Sequence, residues 1–134
     1  MNVWIQKHNF ESEELPDSGL DAALHAYSAF NWLIEIASYQ TSLQGKKDGC
    51  PPGIGFVHQN GDLLHFCPLS SEISEVHYYY SFPSRFLGLF PYVSNRDFHL
   101  EDFPLCHMRD VLHSHYRGDT ALTLDKLHKF EQNS

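Results

Sequence analysis

The stretch that decides the fold is Ile54-Gly55-Phe56-Val57-His58-Gln59-Asn60-Gly61-Asp62-Leu63-Leu64-His65-Phe66-Cys67. Two apolar runs flank Asn60-Gly61, and an Asn-Gly pair favours a type I′ hairpin turn, in which both central residues need positive φ. A two-residue loop predicts that six residues share one face of the hairpin: Ile54, Phe56, His58, Leu63, His65 and Cys67. Val57, Leu64 and Phe66 then share the other face. Because both faces carry apolar groups, the hairpin is predicted to be central in its sheet.

Two further segments have the two-residue alternation of strands. In the segment 76–82 the alternation directs Val76, Tyr78, Tyr80 and Phe82 to one side, and His77, Tyr79 and Ser81 to the other. Val3–Phe10 alternates more loosely and is predicted to be an edge strand. The segment Phe86–Phe90 fits either a further strand or an apolar turn of helix.

Three helices are expected. The first runs from about Leu20 to Gln40, with an apolar stripe at three- and four-residue spacing and with Ser18 and Asp21 as a capping box. The second spans about Pro104 to Arg117, with Asp102 as N-cap and Gly118 as its stop. The third spans about Thr120 to Phe130, with Asp119 as N-cap. The sequence therefore predicts one α+β domain over residues 1–134. In it, an antiparallel sheet of about three to five strands carries a long N-terminal helix and two C-terminal helices packed on it.

Composition limits the partners. The chain has 134 residues and a formal net charge of −8, with 42% apolar and 19% charged residues. This balance fits a folded core, and it argues against nucleic acid as a partner because phosphate binding needs a basic stripe. No apolar run reaches the length of a membrane span, and the N-terminus lacks the pattern of a secretory signal. Three widely spaced cysteines indicate reduced thiols, so a cytoplasmic location is expected.

Ten histidines raise the question of a metal site. His58 and His65 share a face of the predicted hairpin, and His77 on the next strand could join them. Cys106, Asp110 and His113 share one face of the predicted helix. However, no paired ligands at short spacing are present, and half-buried sheet histidines and a solvated helix face explain the pattern better than a metal site does. We therefore expect no metal and no other cofactor, and keep His58, His65 and His77 as weak candidates.

Nucleophilic chemistry has little support in the sequence. His65 and Cys67 share a strand face but are expected to lie out of each other's reach, and Cys106 and His107 diverge around a helix. The glycine-rich segment 49–55 contains two prolines and precedes a strand, so it is interpreted as a turn rather than a phosphate loop. We assign no catalytic residue and expect a protein that is not an enzyme.

Several of these features together resemble the small acidic immunity proteins of bacterial polymorphic-toxin and contact-dependent growth inhibition systems. They are the amphipathic first helix, Pro52-Gly-Ile-Gly-Phe-Val57, Leu63-Leu-His-Phe-Cys-Pro68 and Val76-His-Tyr-Tyr-Tyr80, within residues 20–82. The resemblance implies an antitoxin role in the cytoplasm. The protein would bind a cognate toxin domain, often a basic nuclease, and occlude its active site.

On this hypothesis, exposed acids and one tyrosine are the candidate partner contacts. Half of the net charge lies in Met1–Asp21, where five acids accompany one base, Lys7. The candidates are Glu11, Glu13, Glu14 and Asp17 in a predicted acidic loop, and Glu72, Glu75, Tyr79, Asp97, Glu101 and Asp102 elsewhere. Two alternatives remain open: a small histidine-rich metal-binding enzyme or sensor, and a regulatory subunit of a larger complex.

Overall fold

The computed structural model describes residues 1–15, 17–86 and 90–131, and of residues 82–86 and 90–93 only the backbone. Within these ranges the chain forms one antiparallel sheet of six strands in the order β2-β1-β3-β4-β5-β6. The strands are β1 Asn2–Gln6, β2 Ser12–Leu15, β3 Gly53–Val57, β4 Leu63–Pro68, β5 Ile73–Phe86 and β6 Phe90–Pro104. The fold is therefore α+β, as predicted, with one strand more than the expected range.

Helices α1 Leu20–Ala29, α2 Trp32–Gln44, α3 Met108–Tyr116 and α4 Thr120–His128 all contribute to a single core, and a short 3-10 turn, Leu105–His107, precedes α3. The sheet contributes Val3, Ile54, Phe56, Leu64, Phe66, Val76 and Tyr78 to that core, and the helices contribute Ala23, Trp32, Val111, Leu112 and Leu127. Strand alternation leaves the opposite side chains on the other face. No helix in the described part of the chain is long and apolar enough to cross a membrane.

The central hairpin forms between β3 and β4, but its predicted turn and register are wrong. The backbone NH of His58 donates to the Asp62 carbonyl at 2.9 Å, and that of Gly61 to the His58 carbonyl at 2.9 Å, so the loop is longer than two residues. Within the loop 58–62, Gly61 alone has positive φ, at 94°, whereas a type I′ turn would also need it at Asn60. The pairs are therefore Ile54 with Phe66 and Phe56 with Leu64. His65 therefore lies on the face opposite Phe56, and His58 lies in the loop rather than in the paired strands.

The prediction of an acidic loop near the N-terminus is also wrong in part, because Ser12–Leu15 forms the edge strand β2. β1, expected at the edge, lies between β2 and β3. Glutamates are poor strand formers and hide this strand in the sequence. At an edge, however, charged side chains are suitable because they discourage pairing with another chain.

The expected long helix is two helices. Phe30 leaves the helical conformation with ψ 137°, and the Asn31 side chain accepts the backbone NH of Ile34 at 3.2 Å, so α2 starts anew. An Asn side chain at an N-cap can replace the backbone acceptor that the broken helix loses. The predicted apolar stripe ends there, since Ile34 is 61% exposed.

Two predicted caps are wrong and two are confirmed. The Ser18 hydroxyl donates to the Leu15 carbonyl at 2.9 Å, so Gly19 is the N-cap of α1 and makes no side-chain bond. Asp102 lies in β6, because the strand continues to Pro104 before the 3-10 turn. Asp119 caps α4 by accepting the Leu122 NH at 3.1 Å. Gly118 ends α3 with φ 71°.

β5 contains the predicted third strand. Val76 and Tyr78 are buried and Tyr79 is exposed, as the alternation predicts. The side chain of Phe82 lies outside the described residues. The undecided segment 86–90 includes residues 87–89, which also lie outside them, while Phe86 ends β5 and Phe90 begins β6.

Candidate binding face

The sheet face opposite the core, here called the open face, carries three rows of side chains that follow the strand register. The middle row runs Glu14, Trp4, Gly55, His65, His77 and His99. On one side of it lie Asn2, Val57, Leu63, Tyr79 and Asp97. On the other lie Ser12, Gln6, Gly53, Cys67 and Glu75, followed by Glu101 and Asp102. None of these positions is a lysine or an arginine.

Aromatic rings form a continuous line along the middle row. The Trp4 and His65 ring centroids are 5.0 Å apart, those of His65 and His77 6.1 Å, and those of His77 and His99 4.3 Å. Tyr79 stacks nearly parallel to His77 at 6.2 Å. Trp4, His65, His77 and His99 therefore come from four strands, and the register brings them together.

Two glycines of β3 make room for this line. A Cβ on Gly55 would overlap the Trp4 indole, and a Cβ on Gly53 would come within 2.6 Å of His65 Nε2 and 2.9 Å of the Phe66 carbonyl. The indole therefore lies directly over the strand at Gly55. Here glycine serves close approach of a side chain to the backbone.

The histidines nearest the centre are held neutral. Burial, with a smaller contribution from the neighbouring His77, lowers the pKa of His65 to about 4. Burial and the neighbouring His99 lower the pKa of His77, although Glu75 and Asp97 oppose that shift. At neutral pH, His65 and His77 therefore present lone pairs rather than positive charge.

His65 and Cys67 are closer than expected: His65 Nε2 lies 3.6 Å from Cys67 Sγ. The expectation that the two groups are out of reach is therefore wrong. Burial raises the pKa of the Cys67 thiol to about 12, with Glu75 and Cys50 adding to the effect. A nucleophilic cysteine needs a lowered thiol pKa, so this neutral pair supports a structural role for Cys67.

Glu75, His77 and His99 form a compact group of metal-ligand type. Glu75 Oε2 lies 3.9 Å from Nε2 of His77 and 3.9 Å from Nε2 of His99. One ligand atom from each residue falls within 4.8 Å of the other two. Among the residues that the structure describes, it is the one such group of three.

The weak metal candidates from the sequence are not brought together as a set. His58 lies in the loop, where its Nδ1 accepts the backbone NH of Asn60 and its ring lies 6.1 Å from that of His115. His65 and His77 are neighbours on the open face. Cys106, Asp110 and His113 are exposed, and within the described chain they form no group with converging ligand atoms.

The predicted partner contacts divide between the open face and the rim of the molecule. Glu14, Glu75, Tyr79 and Asp97 lie in the three rows. Glu101 and Asp102 both lie opposite Glu75, where a bulge shifts the β5–β6 register. Glu13 is paired with Lys7 at 3.0 Å on the edge strand. Glu11, Asp17 and Glu72 are exposed in turns outside the rows.

A groove of about 390 Å³ opens between the middle row and the loops at one end of the sheet. Trp4, His65, Cys67 and Glu75 line it from the sheet, and Phe10, Cys50 and Pro51 border it. Phe10 is 61% exposed and has φ 69°, which is rare for a bulky residue. The groove thus combines aromatic surface with one acidic group, Glu75.

Sequence reasoning did not select Trp4, Phe10 or His99 as functional residues. Trp4 and His99 carry no motif, and only the β1–β3 and β5–β6 registers reveal that they share a row. A signal for Phe10 does exist, because the β1–β2 loop has a glycine-type turn position filled by phenylalanine. That signal requires the turn to be recognised first.

No family model, curated protein or solved structure matches this chain.

Proposed function

We propose that this chain is a binding protein that inhibits a basic partner by covering it with the open face, in the manner of the immunity proteins that its sequence resembles. The cognate partner is a bacterial toxin domain with a phosphate-gripping, and therefore basic, active-site cleft. The protein acts by occlusion and performs no chemistry on its partner.

The observation that supports the proposal is the composition of the open face. Acidic residues predicted as contacts, Glu14, Glu75 and Asp97, surround a line of aromatic rings, and Glu101 and Asp102 extend the acidic side. Acidic side chains attract a basic partner and steer its approach. Central aromatic side chains are the usual anchors of tight interfaces, here Trp4 and Tyr79.

Phe10 adds a second feature of a binding surface. A phenylalanine at φ 69° is strained, and this one is mostly exposed beside the groove, so the fold gains little from it. Strain retained at a position without a packing role is typical of functional sites. We assign Phe10 to the partner-facing rim.

The test begins with capture of the partner from the native host by the tagged chain, followed by expression of that partner alone. We expect the partner to be toxic alone and harmless when the chain is co-expressed. Association rates are then measured at low and high salt for Glu14→Lys and Asp97→Lys. Each variant should slow association strongly at low salt and much less at high salt, because salt screens steering.

The matched control is Asp125→Lys on α4, which makes the same change in charge at an exposed position away from the open face. It should slow association much less. Trp4→Ala should mainly speed dissociation, because it removes an anchor rather than a charge. The proposal fails if the captured partner is harmless alone, or if Asp125→Lys slows association as much as the open-face variants do.

A further inference from the structure

We propose that Glu75, His77 and His99 form a binding site for a divalent transition-metal ion of the zinc type, with one carboxylate oxygen and two imidazole nitrogens as ligands. The site lies on β5 and β6, at the β6 side of the open face. It does not depend on the proposed function, since it is a property of the isolated chain.

The spacing of the three ligand atoms is close to what such an ion requires. Nε2 of each histidine lies 3.9 Å from Glu75 Oε2. Bonds of about 2.0–2.1 Å in a tetrahedral site place ligand atoms about 3.4 Å apart, so small side-chain rotations close the set. The side chains retain 32–39% exposure, which leaves them free to rotate and leaves the ion a path of entry.

The backbone holds the donors in place. His77 and His99 are directly paired across β5 and β6, and their rings stack at 4.3 Å with 21° between their planes. The ring of Tyr79 is nearly parallel to that of His77, with 6.2 Å between their centroids, and the ring of His65, paired with His77 from β4, lies 6.1 Å away. Ligands carried on paired strands are more precisely placed than ligands on loops.

The donor set also selects the class of ion. Imidazole nitrogen suits zinc, copper and nickel, whereas calcium and magnesium prefer sites made of oxygen ligands. Two histidines and one glutamate are a known catalytic-zinc ligand combination, and they leave the fourth position to water or to another ligand.

The alternative is a pair of cross-strand histidines that only pack together, with Glu75 as a solvated neighbour. In that case no ion would bind with defined stoichiometry. The two possibilities differ in affinity for metal, in the nitrogen ligands seen by spectroscopy and in the response to single substitutions.

The experiment is calorimetric titration of the full chain, without an affinity tag and freed of metal, with Zn²⁺ and separately with Ni²⁺. We expect saturable one-to-one binding. His99→Ala, His77→Ala and Glu75→Gln should each weaken it by about ten-fold or more, since each removes a ligand. Paramagnetic resonance with Cu²⁺ should show two nitrogen ligands in the wild type and one in His99→Ala.

The matched control is His113→Ala, which removes an exposed histidine from α3 and should leave the affinity unchanged. Circular dichroism of each variant separates loss of a ligand from loss of the fold. Zinc should raise the melting temperature of the wild type and of His113→Ala, but not that of His99→Ala. Absence of saturable binding, or equal weakening by His113→Ala, would overturn the site. Neither result would bear on binding of a protein partner.

Discussion

Phe10 and Gly61 occupy the same position in two similar hairpin loops. In the loop between β1 and β2, the Lys7 NH donates to the Glu11 carbonyl and the Phe10 NH to the Lys7 carbonyl. The loop between β3 and β4 repeats the pattern with His58, Asp62 and Gly61. Both loops need a left-handed residue, and only the second fills that position with glycine.

The first prediction concerns Phe10→Gly. Relief of the left-handed backbone should raise the free energy of unfolding by about 0.5–1 kcal/mol, measured by urea denaturation. The opposite exchange, Gly61→Ala, should lower it by a similar amount, because Gly61 has φ 94° and no packing obstacle nearby. A loss of stability in Phe10→Gly would show that the Phe10 side chain contributes packing that outweighs the strain.

At the scale of elements, β1 and β3 are joined on the open face by the contact between Trp4 and Gly55. The indole lies where a Cβ of residue 55 would be. The strand pair therefore depends on a missing side chain in one strand and a large one in the other. Such a pair is expected to show coupling between substitutions.

The second prediction is that Gly55→Ala lowers the free energy of unfolding by about 1–3 kcal/mol, because the methyl group displaces the indole. Trp4→Ala should lower the free energy of unfolding less in the Gly55→Ala variant than in the wild type. A double-mutant cycle by urea denaturation measures the coupling. Gly45→Ala is the control, since a Cβ there would make only ordinary contacts, the nearest at 3.5 Å. Additive effects would rule out the proposed clash.

A group of hydrogen bonds around Asp62 connects the β3–β4 loop to β5 and α4. The carboxylate of Asp62, which is only 3% exposed, accepts hydrogen bonds from Tyr78 Oη at 3.1 Å and Thr120 Oγ1 at 2.6 Å. The Ser81 NH also donates to it at 3.4 Å. This anchoring explains why the loop departs from a two-residue turn.

The third prediction is that Asp62→Ala lowers the free energy of unfolding by about 3 kcal/mol, because the buried hydroxyl of Tyr78 and the half-buried hydroxyl of Thr120 lose their acceptor. Tyr78→Phe should cost about 1 kcal/mol, and less once Asp62 is already removed. Chemical denaturation of the four proteins in the cycle tests this. An Asp62→Ala cost near zero would show that water replaces the carboxylate without loss.

At the scale of the whole molecule, buried histidines link stability to pH. His115 lies in the core, where its Nε2 donates to the Phe56 carbonyl at 2.8 Å. Burial lowers the pKa of His115 to about 4, despite that hydrogen bond, which acts in the other direction. The pKa of His65 on the open face is also lowered to about 4, again mainly by burial. Both are neutral in the folded protein at pH 7.

The fourth prediction follows from the direction of these shifts. The unfolded chain takes up protons on histidine near the ordinary pKa of 6.5, before the folded protein does, so the free energy of unfolding falls as pH drops from about 6.5 towards 4. His115 alone should contribute a loss of about 2 kcal/mol by pH 5.

Urea denaturation at pH 7.5 and pH 5 measures that loss. His115→Gln keeps a donor for the Phe56 carbonyl and cannot titrate, so its loss between the two pH values should be smaller by about 2 kcal/mol. The exposed neighbour His113→Gln serves as the control and should behave as the wild type. Equal losses in all three proteins would show that His115 does not control the pH dependence.

The α+β class, the central hairpin, the Val76–Tyr80 alternation and the caps at Gly118 and Asp119 could all be predicted from the sequence. These features are local: alternation, turn residues and capping act within a few neighbouring positions. The sequence also selects Glu14, Glu75 and Asp97 as candidate contacts, but only as separate charges in a chain. Their common face depends on how six strands are paired.

The edge strand β2, the hairpin register and the middle row of the open face depend on interactions between residues far apart in the chain. β2 became a strand because β1 offers it an edge, although its glutamates disfavour strands. The hairpin register was set by Asp62, whose hydrogen-bond partners lie 16 and 58 residues away. Trp4, His65, His77 and His99 form one row because five strands align, and a shift of one residue would send each side chain to the other face. Local patterns therefore determine which elements this chain can form, and long-range pairing determines which side chains meet.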